Sequence, residues 1–223
     1  MGMHFGIVAV KSDVAQLLGA FSTAWPTREP KVGADVSGLS ELSAWMQANS
    51  REVSARDGSL DDAGTQAFGF WQDGDWTLML DPGYVQASDG DGLATLSLRF
   101  GLTLSLVIET AGGCAFFSAY DQGQRTRRVT SIDGKVTREG AALPQEAGLP
   151  GSSFYMEEIE RLQGAFGITP LEQLSEDKRI RAMAYVDRTD YAALRREREE
   201  RRAKAAAAAP SAPMARRPWW RIW

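Results

Sequence analysis

The stretch AFGFWQDGDWTLMLDPG, residues 67–83, decides the fold. Apolar side chains recur at every second position from Trp76 to Leu80, which is the period of a strand with one buried face. Asp73-Gly74 separates this run from an earlier aromatic run, and Asp-Gly between two strands is a strong signal of a type I′ hairpin turn. The stretch therefore predicts a β-hairpin from about Ala67 to Leu80.

The same pattern continues as far as Glu139. Leu102 to Ile108 and Cys114 to Tyr120 predict a second hairpin, turned by glycines between them. Two polar runs follow, Arg125–Ile132 and Lys135–Glu139, with Asp133-Gly134 as the turn. The chain therefore predicts an antiparallel meander whose last two strands form an exposed edge.

Segments on either side of the meander supply further elements. We predict a strand over Met3–Val10, a helix capped by Ser12, a second helix capped by Ser37 or Ser40, and a third helix from Ser152 or Ser153 to about Phe166. Pro30 and Gly33 predict a loop over residues 26–36. Residues 93–100 fit a helix and a strand equally, and residues 180–186 fit a strand slightly better than a helix. The expected fold is α+β, with an antiparallel sheet packed by helices on one face.

Composition divides the chain into a body and a tail. Residues 1–190, a single predicted domain, carry 16 basic and 26 acidic residues, whereas residues 191–223 carry nine and three. Residues 191–209 predict a charged, alanine-rich helical extension, and residues 210–223 a flexible tail rich in Arg and Trp. An acidic body thus bears a basic end.

The tail is the first candidate binding segment. Arginine with tryptophan suits a membrane interface, a pocket on a protein partner, or single-stranded nucleic acid, and the last of these is the least favoured. Docking on the acidic body of the same chain is a further alternative. The candidate residues are Arg216, Arg217, Trp219, Trp220, Arg221 and Trp223.

Three arginines on the predicted edge are the second and weaker candidate. Arg125, Arg127 and Arg128 could bind a partner, but charged side chains on an edge strand more often serve to discourage pairing with another chain. A solvated edge is therefore the favoured interpretation.

Motifs for catalysis are sparse. The chain has one histidine, one cysteine, no nucleophile elbow, no Walker loop and no dinucleotide fingerprint, so a non-catalytic protein is favoured over an enzyme. Asp73 with Asp75, or Asp61 with Asp62, leave open a metal-assisted hydrolase. The fragment at residues 88–92 lacks the ligands of a full calcium loop and predicts a turn. No cofactor and no metal site are expected.

One resemblance covers about residues 68–175. The aromatic strands over residues 70–80, the meander through Asp133-Gly134, the segment MEEIERL at 156–162 and the segment GITP at 167–170 resemble an uncharacterised family of bacterial domains. The resemblance implies bacterial origin and an α+β fold, and it implies no activity.

These observations favour a bacterial protein-binding module of the immunity or regulatory type, whose acidic body binds a basic protein partner. The alternatives are a membrane-surface protein recruited through the tail and a metal-assisted hydrolase that uses aspartates. We expect a cytoplasmic protein, because no run reaches the length of a membrane span, and the tail could bring it to the inner membrane.

Overall fold

An antiparallel β-sheet of nine strands carries the fold in the computed structural model, which describes residues 4–51 and 64–208. In chain order its strands are β1 (His4–Val10), β2 (Arg28–Ser37), β3 (Thr65–Asp73), β4 (Trp76–Asp81), β5 (Thr103–Glu109), β6 (Cys114–Asp121), β7 (Gln124–Ile132), β8 (Lys135–Glu139) and β9 (Arg179–Asp187). The helices are α1 (Val14–Ala24), α2 (Gly38–Asn49), α3 (Gly90–Phe100), α4 (Met156–Ala165) and α5 (Tyr191–Ala208). Short 3-10 turns lie at Pro144–Glu146 and Leu171–Gln173.

The strands lie in the order β2-β9-β3-β4-β1-β5-β6-β7-β8, and all neighbours are antiparallel. The hairpin β3–β4 and the meander β5 to β8 agree with the sequence pattern. The type I′ turn predicted at Asp73-Gly74 is wrong in its position and type, because Asp73 pairs with Trp76 and the central residues are Gly74, with a φ of 58°, and Asp75, whose φ is not positive. Two strands come from outside the meander: β1 lies between β4 and β5, and β9 lies between β2 and β3. The α+β class and the antiparallel sheet predicted from the sequence are therefore confirmed.

Helices cover both faces of the sheet. We predicted from the sequence that they would pack on one face. β1 shows the reason, because Ile7 and Ala9 pack in one buried cluster while Val8 and Val10 pack in another. The first cluster includes apolar side chains of α2 and α4, and the second includes those of α1 and α3. A strand that is apolar on both sides needs a layer on each side to exclude water.

Capping residues explain where two of the helices, α1 and α3, begin. In α1 the Asp13 carboxylate accepts a hydrogen bond from the backbone N–H of Gln16 at 2.7 Å, and Gln16 closes the capping box. In α3 the Asp89 carboxylate accepts from the N–H of Asp91, and Gly101, with a φ of 72°, ends the helix. These caps settle residues 93–100 as helix rather than strand.

The predicted loop at residues 26–36 is wrong, because most of it forms the edge strand β2. Pro30 is tolerated there since an edge strand needs hydrogen-bonding groups on one side only. The register with β9 shifts between Pro30 and Val32, so the proline lies beside a local irregularity. Residues 180–186 form β9, the strand alternative for that segment.

Several predictions fall outside the described residues, namely the Arg/Trp tail over 210–223 and the pair Asp61 and Asp62. None of the helices in the described ranges combines the length and the apolar character that crossing a membrane would require.

Candidate functional site

A group of exposed carboxylates lies where α2 begins and where the chain enters β9. We call it the acidic corner, and it consists of Glu41, Glu172, Glu176 and Asp177. Glu41 belongs to the first turn of α2, and the other three lie between residues 171 and 178, before β9. The fold therefore joins two segments that are about 135 residues apart in sequence.

Backbone and side-chain hydrogen bonds fix the corner. Glu176 accepts a hydrogen bond from the Ser40 hydroxyl at 3.2 Å, and Glu41 accepts one from the backbone N–H of Ser37 at 2.8 Å. The N–H of Gly38 donates to the carbonyl of Lys178 at 2.9 Å. Gly38 has a φ of 66° and lies directly against Glu176, so a side chain at this position would collide with it.

Among the described residues, the corner has no ion-pair partner for its negative charge. All of its carboxylates are exposed, and within the described ranges none of them lies in an ion pair. The neighbouring Lys178 ammonium is 3.9 Å from Asp73 instead. Strand alternation places Arg179 on the face opposite Ile180, and Ile180 packs with α2. The exposed charges at the start of α2 are therefore mostly negative.

Part of this charge also serves the helix. Carboxylates near a helix N-terminus interact favourably with its exposed N–H groups. Glu41 does so at α2, where it accepts from the backbone N–H of Ser37, and Glu176 accepts from the Ser40 hydroxyl in the first turn of the same helix. Because Glu41 and Glu176 remain exposed, they can hold the start of the helix and still face a partner.

The three edge arginines do not form one surface. Arg127 is 4% exposed and makes a bidentate ion pair with Glu146, at 2.8 Å from Nε and 2.6 Å from Nη2. Its Nη1 donates to the carbonyl of Gly140 at 2.7 Å. Arg125 pairs with Glu139 at 2.9 Å in solvent, and Arg128 is half-buried. Arg127 thus fastens the segment after β8 to the sheet.

The pair Asp73 and Asp75 also separates into different roles. Asp73 accepts hydrogen bonds from the backbone N–H of Thr169 at 2.6 Å and from its hydroxyl at 3.2 Å. It therefore anchors the segment after α4 to the end of β3. Asp75 is exposed in the β3–β4 turn.

A buried polar network surrounds Asp81 at the end of β4. The Asp81 carboxylate accepts hydrogen bonds from the N–H groups of Gln86 at 2.7 Å and Ala87 at 3.0 Å. Close by, Arg28 forms a buried ion pair with Asp187. Burial raises the pKa of Asp81 to about 6, although these N–H groups and the Arg28 charge act in the opposite direction. Asp81 is fully buried, so it holds the following loop rather than facing a substrate.

A surface cavity of about 290 Å³ lies at the opposite end of the strands from the acidic corner. Its wall combines the carboxylate of Asp133 with hydroxyl side chains that include Ser131 and Tyr155. Behind it, burial alone would raise the pKa of Glu158, but hydrogen bonds from the Ser153 hydroxyl and the Tyr155 N–H lower it overall. In the described part of the chain no three metal-ligating side chains come together.

The remaining residues considered in the sequence are the single cysteine, the single histidine and the residues of the tail. Cys114 is half-buried, and its thiol contacts the carbonyl of Gly112 at 3.2 Å. His4 is exposed at the start of β1 and makes an edge-to-face contact with Tyr84. The tail residues Arg216, Arg217, Trp219, Trp220, Arg221 and Trp223 lie outside the described residues.

Comparison with protein-family models, with curated proteins and with solved structures finds no match for this chain. The resemblance drawn on residues 68–175 therefore stays a prediction.

Proposed function

We propose that this chain is a non-catalytic binding module, of the immunity or regulatory kind, whose acidic surface binds a basic protein partner. The observation that carries the proposal is the acidic corner, where hydrogen bonds join Glu41 and Glu176 to the start of α2. Glu172 and Asp177 lie exposed on the same segment as Glu176, and none of the four carboxylates has an ion-pair partner in the described ranges. The excess of acidic residues over residues 1–190 adds a long-range attraction for the same partner.

The surroundings of the corner suit a protein interface. Protein interfaces usually combine an apolar centre with a polar rim. Half-buried apolar side chains adjoin the corner, with Leu39 and Trp45 on α2 and Leu171 and Leu174 on the segment before β9. Tryptophan is among the commonest anchor residues at interfaces. The carboxylates then steer the partner, and the apolar side chains supply contact area.

The rigidity of this place also suits the binding of a partner. Glu41 lies on a helix, and Glu176 is hydrogen-bonded to that helix, so little side-chain freedom is lost when a partner arrives. A basic side chain gains a charge-assisted hydrogen bond from each carboxylate that it reaches.

Affinity capture from a native bacterial lysate tests the proposal. The baits are the full-length chain, a corner variant with Glu41→Gln, Glu172→Gln, Glu176→Gln and Asp177→Asn, and a control variant with Asp75→Asn, Asp91→Asn, Asp121→Asn and Glu157→Gln. The two variants lose the same charge, and the control positions are exposed. We expect a basic protein on the full-length and control baits that is lost from the corner variant and released by high salt.

A fourth bait, ending at Pro213, separates this proposal from membrane recruitment through the tail. A partner retained by this bait is bound by the body. Lipid retained by the full-length chain alone, with no basic protein on any bait, would contradict the binding-module proposal and favour the membrane-surface alternative.

A further inference from the structure

The two edges of the sheet differ in how open they are to another strand. At one edge, β2 carries Pro30 and a register shift, and both features hinder pairing. At the other edge, β8 contains no proline and keeps an unbroken register with β7 from Lys135 to Glu139. An edge without a proline or a register shift presents a continuous row of N–H and C=O groups that another strand can bind.

The turn before β8 determines which of its backbone groups point outward. Asp133 and Gly134 have φ values of 50° and 75°, which is the geometry of a two-residue type I′ turn. Such a turn makes Ile132 and Lys135 a hydrogen-bonded pair, and hydrogen-bonded pairs alternate along an antiparallel ladder. The N–H and C=O groups of Val136 and Arg138 therefore point away from β7.

The side chains of β8 make this edge complementary to itself. The strand reads Lys-Val-Thr-Arg-Glu, with Thr137 at its centre and opposite charges at its ends. We propose that β8 pairs antiparallel with β8 of a second copy of this chain, about a two-fold axis at Thr137, so that the sheet continues across a dimer. Lys135 of each copy then lies opposite Glu139 of the other copy, on the same face of the sheet.

The hydrogen-bond pattern agrees with this register. Val136 and Arg138 of the two copies become hydrogen-bonded pairs, because their backbone groups are the ones that point outward. Lys135 and Glu139 become non-hydrogen-bonded pairs, in which side chains approach most closely. A lysine on an edge strand repels a basic strand, and its charge would lose water without gaining a partner against a neutral strand. In this register it meets a carboxylate instead.

The residues that the dimer needs are accessible. Lys135 and Thr137 are exposed, and the side chain of Glu139 is 61% exposed while it holds Arg125 at 2.9 Å. A carboxylate has two oxygens, so Glu139 can keep Arg125 and also bind a lysine. The Arg138 guanidinium bonds to the carbonyls of Gly151 and Pro150, so its side chain is held by the same copy.

The interface is small, and it leaves the acidic corner free. Gly134 and Gly140, with φ values of 75° and 78°, turn the chain away at both ends of the paired segment. A contact of five residues per copy belongs to the class of weak, low-area interfaces. α2 packs on β2, β9 and β3 at the other edge of the sheet, so each dimer presents two acidic corners.

Sedimentation equilibrium of the full-length chain, from about 10 µM to about 1 mM, tests the dimer in the range where weak interfaces associate. The expected result is a weight-average mass that rises from the 24.4 kDa monomer toward twice that value. In a dimer of the Lys135→Glu variant, or of the Glu139→Lys variant, both pairs between positions 135 and 139 have like charges. We therefore expect each variant alone to stay monomeric. Mixed in equal amounts they again match opposite charges, so the mixture is expected to form a heterodimer.

Two further variants complete the test. Thr137→Lys places two ammonium groups face to face on the axis without changing the Arg125–Glu139 ion pair, and we expect it to abolish the dimer. Lys31→Glu, at an exposed position of β2, is the control and should dimerise like the original chain. A chain that stays monomeric up to about 1 mM, a mixture that does not associate, or disrupting variants that dimerise normally would each overturn the proposal.

Discussion

The buried carboxylate of Asp81 should make the stability of this protein depend on pH in a direction opposite to that of most carboxylates. Burial raises its pKa from an ordinary value of 3.8 to about 6. Between these two values the folded chain holds a proton that the unfolded chain has lost. The contribution to stability is therefore fully present below about pH 4 and is lost as the pH rises through about 6.

The size of this effect follows from the shift in pKa. Each pKa unit corresponds to about 1.4 kcal/mol, and at pH 4 the unfolded carboxyl is already partly ionised, so a shift of about two units makes Asp81 worth about 2 kcal/mol more at pH 4 than at pH 7. Asparagine has nearly the same shape and does not titrate. We therefore expect Asp81→Asn to gain about 2 kcal/mol in stability, relative to the original chain, between pH 4 and pH 7.

Urea unfolding of both chains at closely spaced pH values measures this difference, and Asp75→Asn serves as the control because Asp75 is exposed. The comparison with each variant cancels the titration of all other groups. A difference between the original chain and Asp81→Asn that stays constant with pH would refute the reasoning. A difference that changes in the opposite direction would mean that the N–H groups of Gln86 and Ala87 outweigh burial and lower the pKa of Asp81.

Two further substitutions test the structural roles of charged residues in the fold. Arg127→Met should cost about 3–5 kcal/mol in the free energy of unfolding, because it leaves Glu146 buried without its partner, and adding Glu146→Leu should recover most of the loss. Equal losses in the single and double variants, measured by urea unfolding, would argue against the ion pair. Asp73→Ala should cost about 1–3 kcal/mol and speed hydrogen exchange at Thr169, since two hydrogen bonds are lost. Asp75→Ala should change neither quantity.

Much of the sheet can be read from the sequence because its signals are local. Alternation around Trp76, with the Asp-Gly pairs at Asp73-Gly74 and Asp133-Gly134 as markers of a nearby turn, suffices to predict β3, β4, β7 and β8. β2 escapes such a reading, because a proline and a glycine in one segment normally indicate a loop. The strand forms since β9 supplies nine pairing partners along one side of it.

The two covered faces of the sheet have a local signal, whereas the site depends on contacts that no local pattern contains. The continuous apolar run of β1 could have indicated two covered faces, because Ile7 and Val8 point in opposite directions and both are apolar. The acidic corner has no such signal, since Glu41 and Glu176 meet only after α2 and β9 are in place. Arg125 and Arg127 look alike in sequence, but a register shift pairs Arg127 with Ala119 and Arg125 with Tyr120, so the two side chains lie on opposite faces of the sheet. Glu146 then pairs with the buried Arg127.

Binding kinetics of the captured basic protein, measured against the full-length chain, the corner variant and the control variant, test the central claim most directly. If the acidic corner steers and holds this partner, the association rate constant of the corner variant should fall about tenfold or more, and that of the control variant should change far less. The difference should shrink at high salt, where charges are screened. Equal losses in both variants would mean that only net charge matters, and no loss in either would contradict the assignment of binding to the corner.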